Sequence, residues 1–382
     1  MSETGAGRRD LGDVKRLVIK LGSSTLAAID FDAFVDEVVA LRAAGVEVAL
    51  VTSGAVAFGM AKLGLAQRPA ELTRTQALAA VGQVDLMARY QGSFARHGVY
   101  VGQILITHQA LAQRHSFLNA RHTMSELLSA GVVPVVNEND TVAAEELRFG
   151  DNDRLAAAIA TVIDADLAVL LSDIDALYDA DPRVSPGARP IHEVERVDGR
   201  IWAVAGRAGS EVGTGGMFSK IRAAEIAVEA GIPLLIAAGE VPGVVTAALA
   251  GELVGTRFAP NPARVDRRRH WIGFLSKLCG TVIVDAGAAA ALRDRGSSLL
   301  PIGVTGVRGQ FERGDGVTIE DPTGAPVARG LVGYDADTLC KIVGLRSDEV
   351  ASILQRSGVD PVVHRNDMLL AVDGPTEHPE AP

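Results

Sequence analysis

The chain has 382 residues, 48% of them hydrophobic and 4% aromatic, with a formal net charge of −10. That length favours two domains over one, and the apolar content is ample for cores built mainly from Ala, Val, Leu and Ile. The acidic balance excludes a chain whose main task is to coat nucleic acid or an anionic membrane.

In chain order, Arg16 to Lys20 is a short β-branched run that stops at Gly22-Ser23-Ser24-Thr25, so it reads as a buried strand followed by a small-residue loop. Phe31, Phe34, Val35, Val38 and Leu41 trace one helical face that Gly45 ends. A strand over Val46 to Thr52 leads into Ser53-Gly54. Helix is expected over Thr73 to Arg96, strand over Val99 to Thr107, helix over Ser116 to Ala130, and strand over Val132 to Val136. Asn137-Glu138-Asn139-Asp140 closes that last strand, a helix follows Asn152, and Leu167 to Leu171 is a strand ending in Ser172-Asp173. Ile232 to Val254 is interrupted by Gly239, Glu240, Pro242 and Glu252; it reads as a strand, a turn and a helix rather than a membrane span. Strands that alternate with helices imply an α/β fold, a mostly parallel sheet sandwiched by helices, over residues 14–260. Ligands of such sheets bind beyond the carboxyl ends of the strands, where the polar clusters fall.

The pattern changes after Phe258-Ala259-Pro260-Asn261-Pro262, so residues 261–274 are expected to be a linker. Short apolar runs between glycines then predict a small β-rich domain over 275–362. The segment 363–382, rich in proline towards its end, is expected to be a disordered tail. Cys279 and Cys340 form no C-x-x-C, which points to neither a zinc site nor a disulfide framework and favours a reducing cytosol. The stretch 1–16 has no apolar core of the kind a signal peptide needs.

The densest chemistry lies in Gly213-Thr214-Gly215-Gly216-Met217-Phe218-Ser219-Lys220. Its glycines let backbone N–H groups approach an anion. Met217, Ile221, Ala224 and Val228 recur at helical spacing, so the loop opens a helix and ends in a lysine. It is no P-loop, because G-x-x-x-x-G-K-[ST] occurs nowhere, and Phe218 takes the place of the third glycine of a dinucleotide fingerprint. Lys20 alone would pass for a solvated strand-end lysine. Paired with Lys220 it suggests two ammoniums on a transferring phosphoryl group, since that chemistry is positioning plus fixed positive charge. Gly150-Asp151-Asn152-Asp153 suits a helix N-cap, and equally the holding of a lysine, a Mg²⁺-bound phosphate or a substrate ammonium. Asn137 to Thr141 also fits a plain Asx-rich turn. Ser53 lacks the flanking glycines of a nucleophile elbow, so it is read as a hydrogen-bond donor to a carboxylate. The eight histidines show no metal-ligand spacing, and no metal-ligating residue is assigned.

Six segments in order resemble glutamate 5-kinases, the γ-glutamyl kinases of the amino acid kinase superfamily. They are Ile19-Lys20-Leu21-Gly22-Ser23-Ser24, Thr52-Ser53-Gly54-Ala55, Val136 to Thr141, Phe149 to Asp153, Leu171-Ser172-Asp173 and Gly213 to Lys220. Residues 275–360 resemble a PUA domain. The resemblance implies ATP- and Mg²⁺-dependent phosphorylation of the γ-carboxylate of L-glutamate to L-glutamyl 5-phosphate, the first step of proline biosynthesis. It implies that Lys20 and Lys220 stabilise the transferring group and that Asp153 organises both lysines. Ser53, Asp140 and Asn152 would bind glutamate. Lys20, Ser172, Asp173, Thr214, Gly215, Gly216, Met217, Phe218, Ser219 and Lys220 would bind ATP. It further implies feedback inhibition by proline, a homo-oligomer (dimer or tetramer), a cytoplasmic location and association with the glutamyl-phosphate reductase. Phe218 departs from the small or hydroxyl residue more usual there. A PUA domain carries an RNA-binding ancestry, but acidic residues outnumber basic ones beyond residue 267, so RNA binding has no support from charge. The competing reading inside the superfamily is a kinase acting on N-acetylglutamate, aspartate, carbamate or a nucleoside monophosphate. The Asn-Glu-Asn-Asp-Thr and Phe-Gly-Asp-Asn-Asp blocks favour glutamate. The reading from another class, an RNA-binding or RNA-modifying protein, requires a basic stripe that is not found.

Overall fold

The computed structural model describes residue 11 and residues 13–143, 152–182, 184–207, 216–261, 270–354 and 360–371. The chain divides into two compact units, one of residues 1–110 and 115–264, the other of residues 111–114 and 265–382.

In the first unit the strands are β1 (Arg16–Leu21), β2 (Glu47–Thr52), β3 (Val101–Ile106), β4 (Val133–Glu138), β5 (Leu167–Ser172), β6 (Leu177–Tyr178), β7 (Pro190–Ile191), β8 (Glu193–Val194), β9 (Leu234–Ala238) and β10 (Thr256–Phe258). The helices are α1 (Ser23–Ala28), α2 (Phe31–Ala43), α3 (Ala55–Lys62), α4 (Leu72–Ala95), α5 (His108–Leu111), α6 (Arg114–Ser129), α7 (Asn152–Ile163), α8 (Gly199–Arg207), α9 (Met217–Glu229) and α10 (Val244–Leu249). Eight strands form one sheet in the order β3-β4-β2-β1-β5-β9-β10-β8, and every pairing from β3 to β9 is parallel. The fold is therefore the expected helix-flanked, mostly parallel sheet, with β10 antiparallel to β9 as its exception.

Register and strand parity place the site. Leu21 pairs with Thr52 on one side and Leu171 on the other, and Ser172 pairs with Ala238, so the carboxyl ends of four strands finish side by side. Ile19 and Leu21 join a core with Phe34, Val35 and Val38 of α2, Leu86, Tyr90 and Phe94 of α4, and Val245 of α10. Successive strand residues face opposite ways, so Lys20 is turned to the other face, against which α7 packs. Every residue of α7 except the exposed Arg154 is buried, as the Ala-rich, largely apolar sequence from Leu155 requires of a helix held between a sheet and a second helix, here α9. At the end of β2 the chain turns into α3 through Gly54 at φ +102°, a left-handed conformation that favours glycine.

The second unit contains β11 (Leu278–Val284), β12 (Val304–Gly309), β13 (Gly316–Glu320), β14 (Pro326–Val332) and β15 (Val363–Leu370) in the sheet order β12-β11-β13-β14-β15. Helices α11 (Ala286–Arg295), α12 (Ala336–Ile342) and α13 (Ser347–Leu354) accompany it. This is the β-rich domain expected from the sequence, with both of its expected ends displaced. The segment taken as linker, 261–274, runs into a turn of π-helix at Trp271–Leu275 that buries Trp271, Ile272 and Gly273, and Arg329 donates to the Gly273 carbonyl at 2.9 Å. The segment taken as tail, 363–382, begins with β15, which pairs antiparallel with β14 and buries Val363, Met368 and Leu369. Alternation of Val363, Met368 and Leu369 with charged residues is weak, which is why this strand reads as tail in sequence. The polar segment after residue 371 and most of the expected linker lie outside the described residues.

Candidate active site

Lys20, penultimate in β1, is 7% exposed, and Asp153, the second residue of α7, is 1% exposed. Lys20 Nζ lies 2.5 Å from Asp153 Oδ1. Lys220, in the first turn of α9, is 6% exposed and places its Nζ 3.2 Å from Oδ2 of the same carboxylate, to which Ser219 Oγ also donates at 3.3 Å. One buried carboxylate thus holds two ammoniums delivered by a strand and a helix distant in sequence. Burial alone would raise the Asp153 pKa, but Lys20 first and Lys220 second overcome it and hold the carboxyl below its ordinary value. The trio keeps a surplus of one positive charge in a water-poor setting. A net positive charge held in this way is well suited to a phosphoryl group.

A second cluster sits where β2 and β4 end. Asn152, the first residue of α7, shares the two N–H groups of its amide among the Thr52 carbonyl at 2.6 Å, Ser53 Oγ at 2.8 Å and Asn137 Oδ1 at 3.0 Å. Ser53 Oγ accepts from Asn152, so its own proton is available to a ligand carboxylate. Asp140 follows β4 in a turn. Burial pushes its pKa from 3.8 up to about 6, and the charge of Arg68 opposes that rise without cancelling it. Ser53, Asn152 and Asp140 thus gather at neighbouring strand ends, whereas Asp151 lies outside the described residues.

Among the expected nucleotide contacts, Ser172 is the buried last residue of β5, and its hydroxyl donates to Asp173 at 2.9 Å. Gly216 is the N-cap of α9, and Met217, Phe218 and Ser219 form its first turn, as the helical spacing predicts. Thr214 and Gly215 lie outside the described residues. The Phe218 ring packs on Trp202 of α8 with centroids 4.9 Å apart. The side chain at this position is therefore a packing element and offers no hydroxyl.

A model of the amino acid kinase family matches residues 15–238, more than half of the chain, and a model of the PUA domain matches residues 280–354. Similar curated proteins are the glutamate 5-kinases of Trichlorobacter lovleyi (46% identical, 94% of this chain and 98% of that one), Meiothermus ruber (48%, 94% and 96%) and Carboxydothermus hydrogenoformans (47%, 95% and 99%). The chain belongs to the glutamate 5-kinase family. It is an ATP-using kinase of the amino acid kinase fold with a C-terminal PUA domain. Among solved structures, UMP kinase from Bacillus anthracis aligns at a TM-score of 0.44 with 16% identity over 65% of this chain and 97% of that one, too loosely to carry an argument.

The kinase also contains polar groups that motif reading passed over. Tyr90 of α4 donates to Thr52 Oγ1 at 2.9 Å, and Gln83 of α4 accepts from Asn137 Nδ2 at 2.8 Å. The signal for them was present. Gln83 and Tyr90 fall on the stripe of α4 that otherwise carries Thr75, Leu78, Ala79, Gly82, Leu86 and Phe94, and a glutamine on an apolar stripe needs a buried partner.

Proposed function

We propose that Lys20 and Lys220, tethered by Asp153, clamp the γ-phosphoryl of ATP while the γ-carboxylate of L-glutamate attacks it. The activity is that of the family, ATP-dependent phosphorylation of glutamate to L-glutamyl 5-phosphate, which opens proline biosynthesis. An oxygen of the γ-carboxylate forms the new O–P bond, the bond from phosphorus to the β,γ-bridging oxygen breaks, and ADP leaves with that electron pair. A carboxylate is already a nucleophile near pH 7, so no general base is required. The two ammoniums neutralise charge on the equatorial and bridging oxygens, the term that dominates phosphoryl transfer. Ser53 donates to a substrate carboxylate, and Asp140 with the Asn152 side-chain oxygen takes the α-ammonium. Ser172, Asp173 and the 214–220 segment receive the nucleotide.

Mg²⁺ accompanies ATP in this reading. Both oxygens of Asp153 are engaged by lysines, and among the described residues no three His, Cys, Asp or Glu side chains gather as a cage. The described side chains therefore do not fit a protein-held ion, and its place is on the phosphates of the nucleotide. Inhibition by proline, a dimer or tetramer, association with the glutamyl-phosphate reductase and a cytoplasmic location complete the proposal by analogy with the family. Among the described residues no helix is long and apolar enough to cross a membrane.

The observation that carries the reading is the single buried carboxylate shared by two lysines. The test is ADP release from Mg-ATP with L-glutamate, N-acetyl-L-glutamate, L-aspartate or UMP, with hydroxylamine to trap an acyl phosphate. Hydroxamate formed from L-glutamate alone is expected. Turnover on another acceptor instead would discard Ser53, Asp140 and Asn152 as a glutamate site.

A further inference from the structure

The amides at the acceptor end form a line whose direction is fixed at two points by the backbone. Asn137 Oδ1 accepts from the Glu138 backbone N–H at 2.9 Å, so that atom is the oxygen. Asn152 donates to the Thr52 carbonyl at 2.6 Å, so that atom is the nitrogen. Asn137 therefore presents its oxygen to Asn152 and its nitrogen to Gln83, and Gln83 must answer with Oε1, as it does at 2.8 Å. Gln83 is 9% exposed, and its Nε2 is buried with no hydrogen-bond partner among the described residues. A residue kept only to fill α4 would be better apolar, because Gln leaves one donor orphaned. What Gln83 supplies is the acceptor oxygen.

We propose that Gln83 is a positioning residue for the acceptor site, locking Asn137 so that Asn152 offers its oxygen, and Ser53 its hydroxyl proton, to glutamate. Without the Gln83 oxygen, the buried Asn137 NH₂ loses its acceptor, so the Glu138 N–H alone opposes a turn of the amide that would set its NH₂ against the NH₂ of Asn152 and force Asn152 to rotate away from Thr52 and Ser53. The site would then present a donor where the α-ammonium requires an acceptor. The inference rests on the glutamate kinase reading above, and the wild-type assay separates the two: absence of glutamate turnover in the wild type defeats that reading, whereas the variants below address Gln83 alone.

In the full chain, Gln83→Met keeps the length of the side chain and removes the acceptor, while Gln83→Glu keeps an oxygen facing Asn137. Gln83→Met is expected to raise the glutamate KM about tenfold, with the ATP KM within about twofold of wild type. The Ki of glutarate, which lacks the ammonium and keeps the carboxylates, should rise much less than the glutamate KM. Gln83→Glu should recover the glutamate KM to within about threefold of wild type. A wild-type glutamate KM in Gln83→Met overturns the proposal, and so does a parallel loss in glutamate KM, ATP KM and glutarate affinity, which marks a merely structural residue. A crystal structure of the wild-type protein with L-glutamate gives a reading that does not depend on any variant folding. The ammonium within hydrogen-bond reach of Asn152 Oδ1 supports the proposal, and a ligand carboxylate against Asn152 Nδ2 overturns it.

Discussion

Lys20 Nζ lies 2.5 Å from Asp153 Oδ1, and both groups are sealed from water between β1 and α7. Lys220 occupies the other oxygen, so a single negative charge separates two positive ones. Replacing Asp153 by Asn keeps the shape and removes the charge. Two buried ammoniums are then left facing each other, and breaking a buried ionic group in this way costs about 3 kcal/mol or more. Asp153→Asn is expected to melt several degrees lower than wild type, to regain part of that loss when ATP supplies the missing negative charge, and to turn over about a hundredfold more slowly. Thermal unfolding with and without ATP, alongside hydroxamate kinetics, checks this. Unaltered melting and turnover would remove Asp153 from the site.

The two lysines should each matter through kcat. Removing one preorganised donor from a transferring group typically loses about 10²- to 10³-fold in rate, so Lys20→Ala and Lys220→Ala should each fall by that much without loss of fold. The double variant should lose less than the product of the two, because either substitution already disorders the carboxylate they share. Single-turnover rates measured with saturating ATP decide it. Wild-type rates in both single variants would sink the clamp.

In the proposed acceptor site, Asp140 should set the pH dependence of glutamate binding. Burial raises its pKa from 3.8 to about 6. Only the ionised form pairs with an ammonium, so the glutamate KM should rise about tenfold between pH 7 and pH 5 while the ATP KM changes little. Stability runs the opposite way. Between 3.8 and about 6 the folded protein retains a proton that the unfolded chain has lost, so the Asp140 contribution declines as pH climbs through that window and is level above it. Asp140→Asn should abolish both trends and bind glutamate poorly at every pH. A glutamate KM flat from pH 5 to 7 in the wild type, with the protein folded, would contradict the assignment.

Phe218 tests what the nucleotide loop requires. Its ring packs on Trp202, and an aromatic pair of this kind contributes about 0.5–1.5 kcal/mol beyond simple burial. Phe218→Ser should therefore lower the melting temperature while leaving the ATP KM within about threefold, since in the proposed nucleotide site this position would offer a phosphate only its backbone N–H. A much tighter ATP KM in Phe218→Ser would show instead that the hydroxyl common elsewhere in the family is used.

Lysines and carboxylates of the site were legible in the chain because each stands at a break in an apolar pattern. Lys20 ends a β-branched run, Lys220 follows a glycine loop, and Asp153 opens a helix. Their meeting at one point was implied by the family resemblance alone and not by the residues themselves, because it depends on strand parity and on the register of β1 with β2 and β5. Gln83 and Tyr90 were hidden for a different reason. They sit within a long amphipathic helix, and their partners Asn137 and Thr52 lie on strands far away in sequence. The C-terminal strand β15 was missed because its middle, His364 to Asp367, is polar and partly exposed, and an edge strand that buries only one face at its ends resembles a tail.

Gly82 joins that hidden layer to the stability of the fold. A Cβ added there would lie 1.9 Å from the Ala55 carbonyl oxygen and 2.2 Å from the Gly59 backbone nitrogen, and one added to Gly59 would lie 2.0 Å from the Leu78 carbonyl oxygen. Helices α3 and α4 are thus packed backbone on backbone, and neither obstacle is a side chain that could swing away. Gly82→Ala must push α4 off α3 and carry the adjacent Gln83 with it. Overpacking of this kind costs about 3 kcal/mol, and the displaced amide should raise the glutamate KM about fivefold with the ATP KM nearly unchanged. Urea unfolding should show a lower midpoint at unchanged slope, the sign of a stability change without a change in the surface exposed. A variant with the wild-type midpoint would mean that the two helices can separate at little cost, and that α4 does not hold the acceptor site in place.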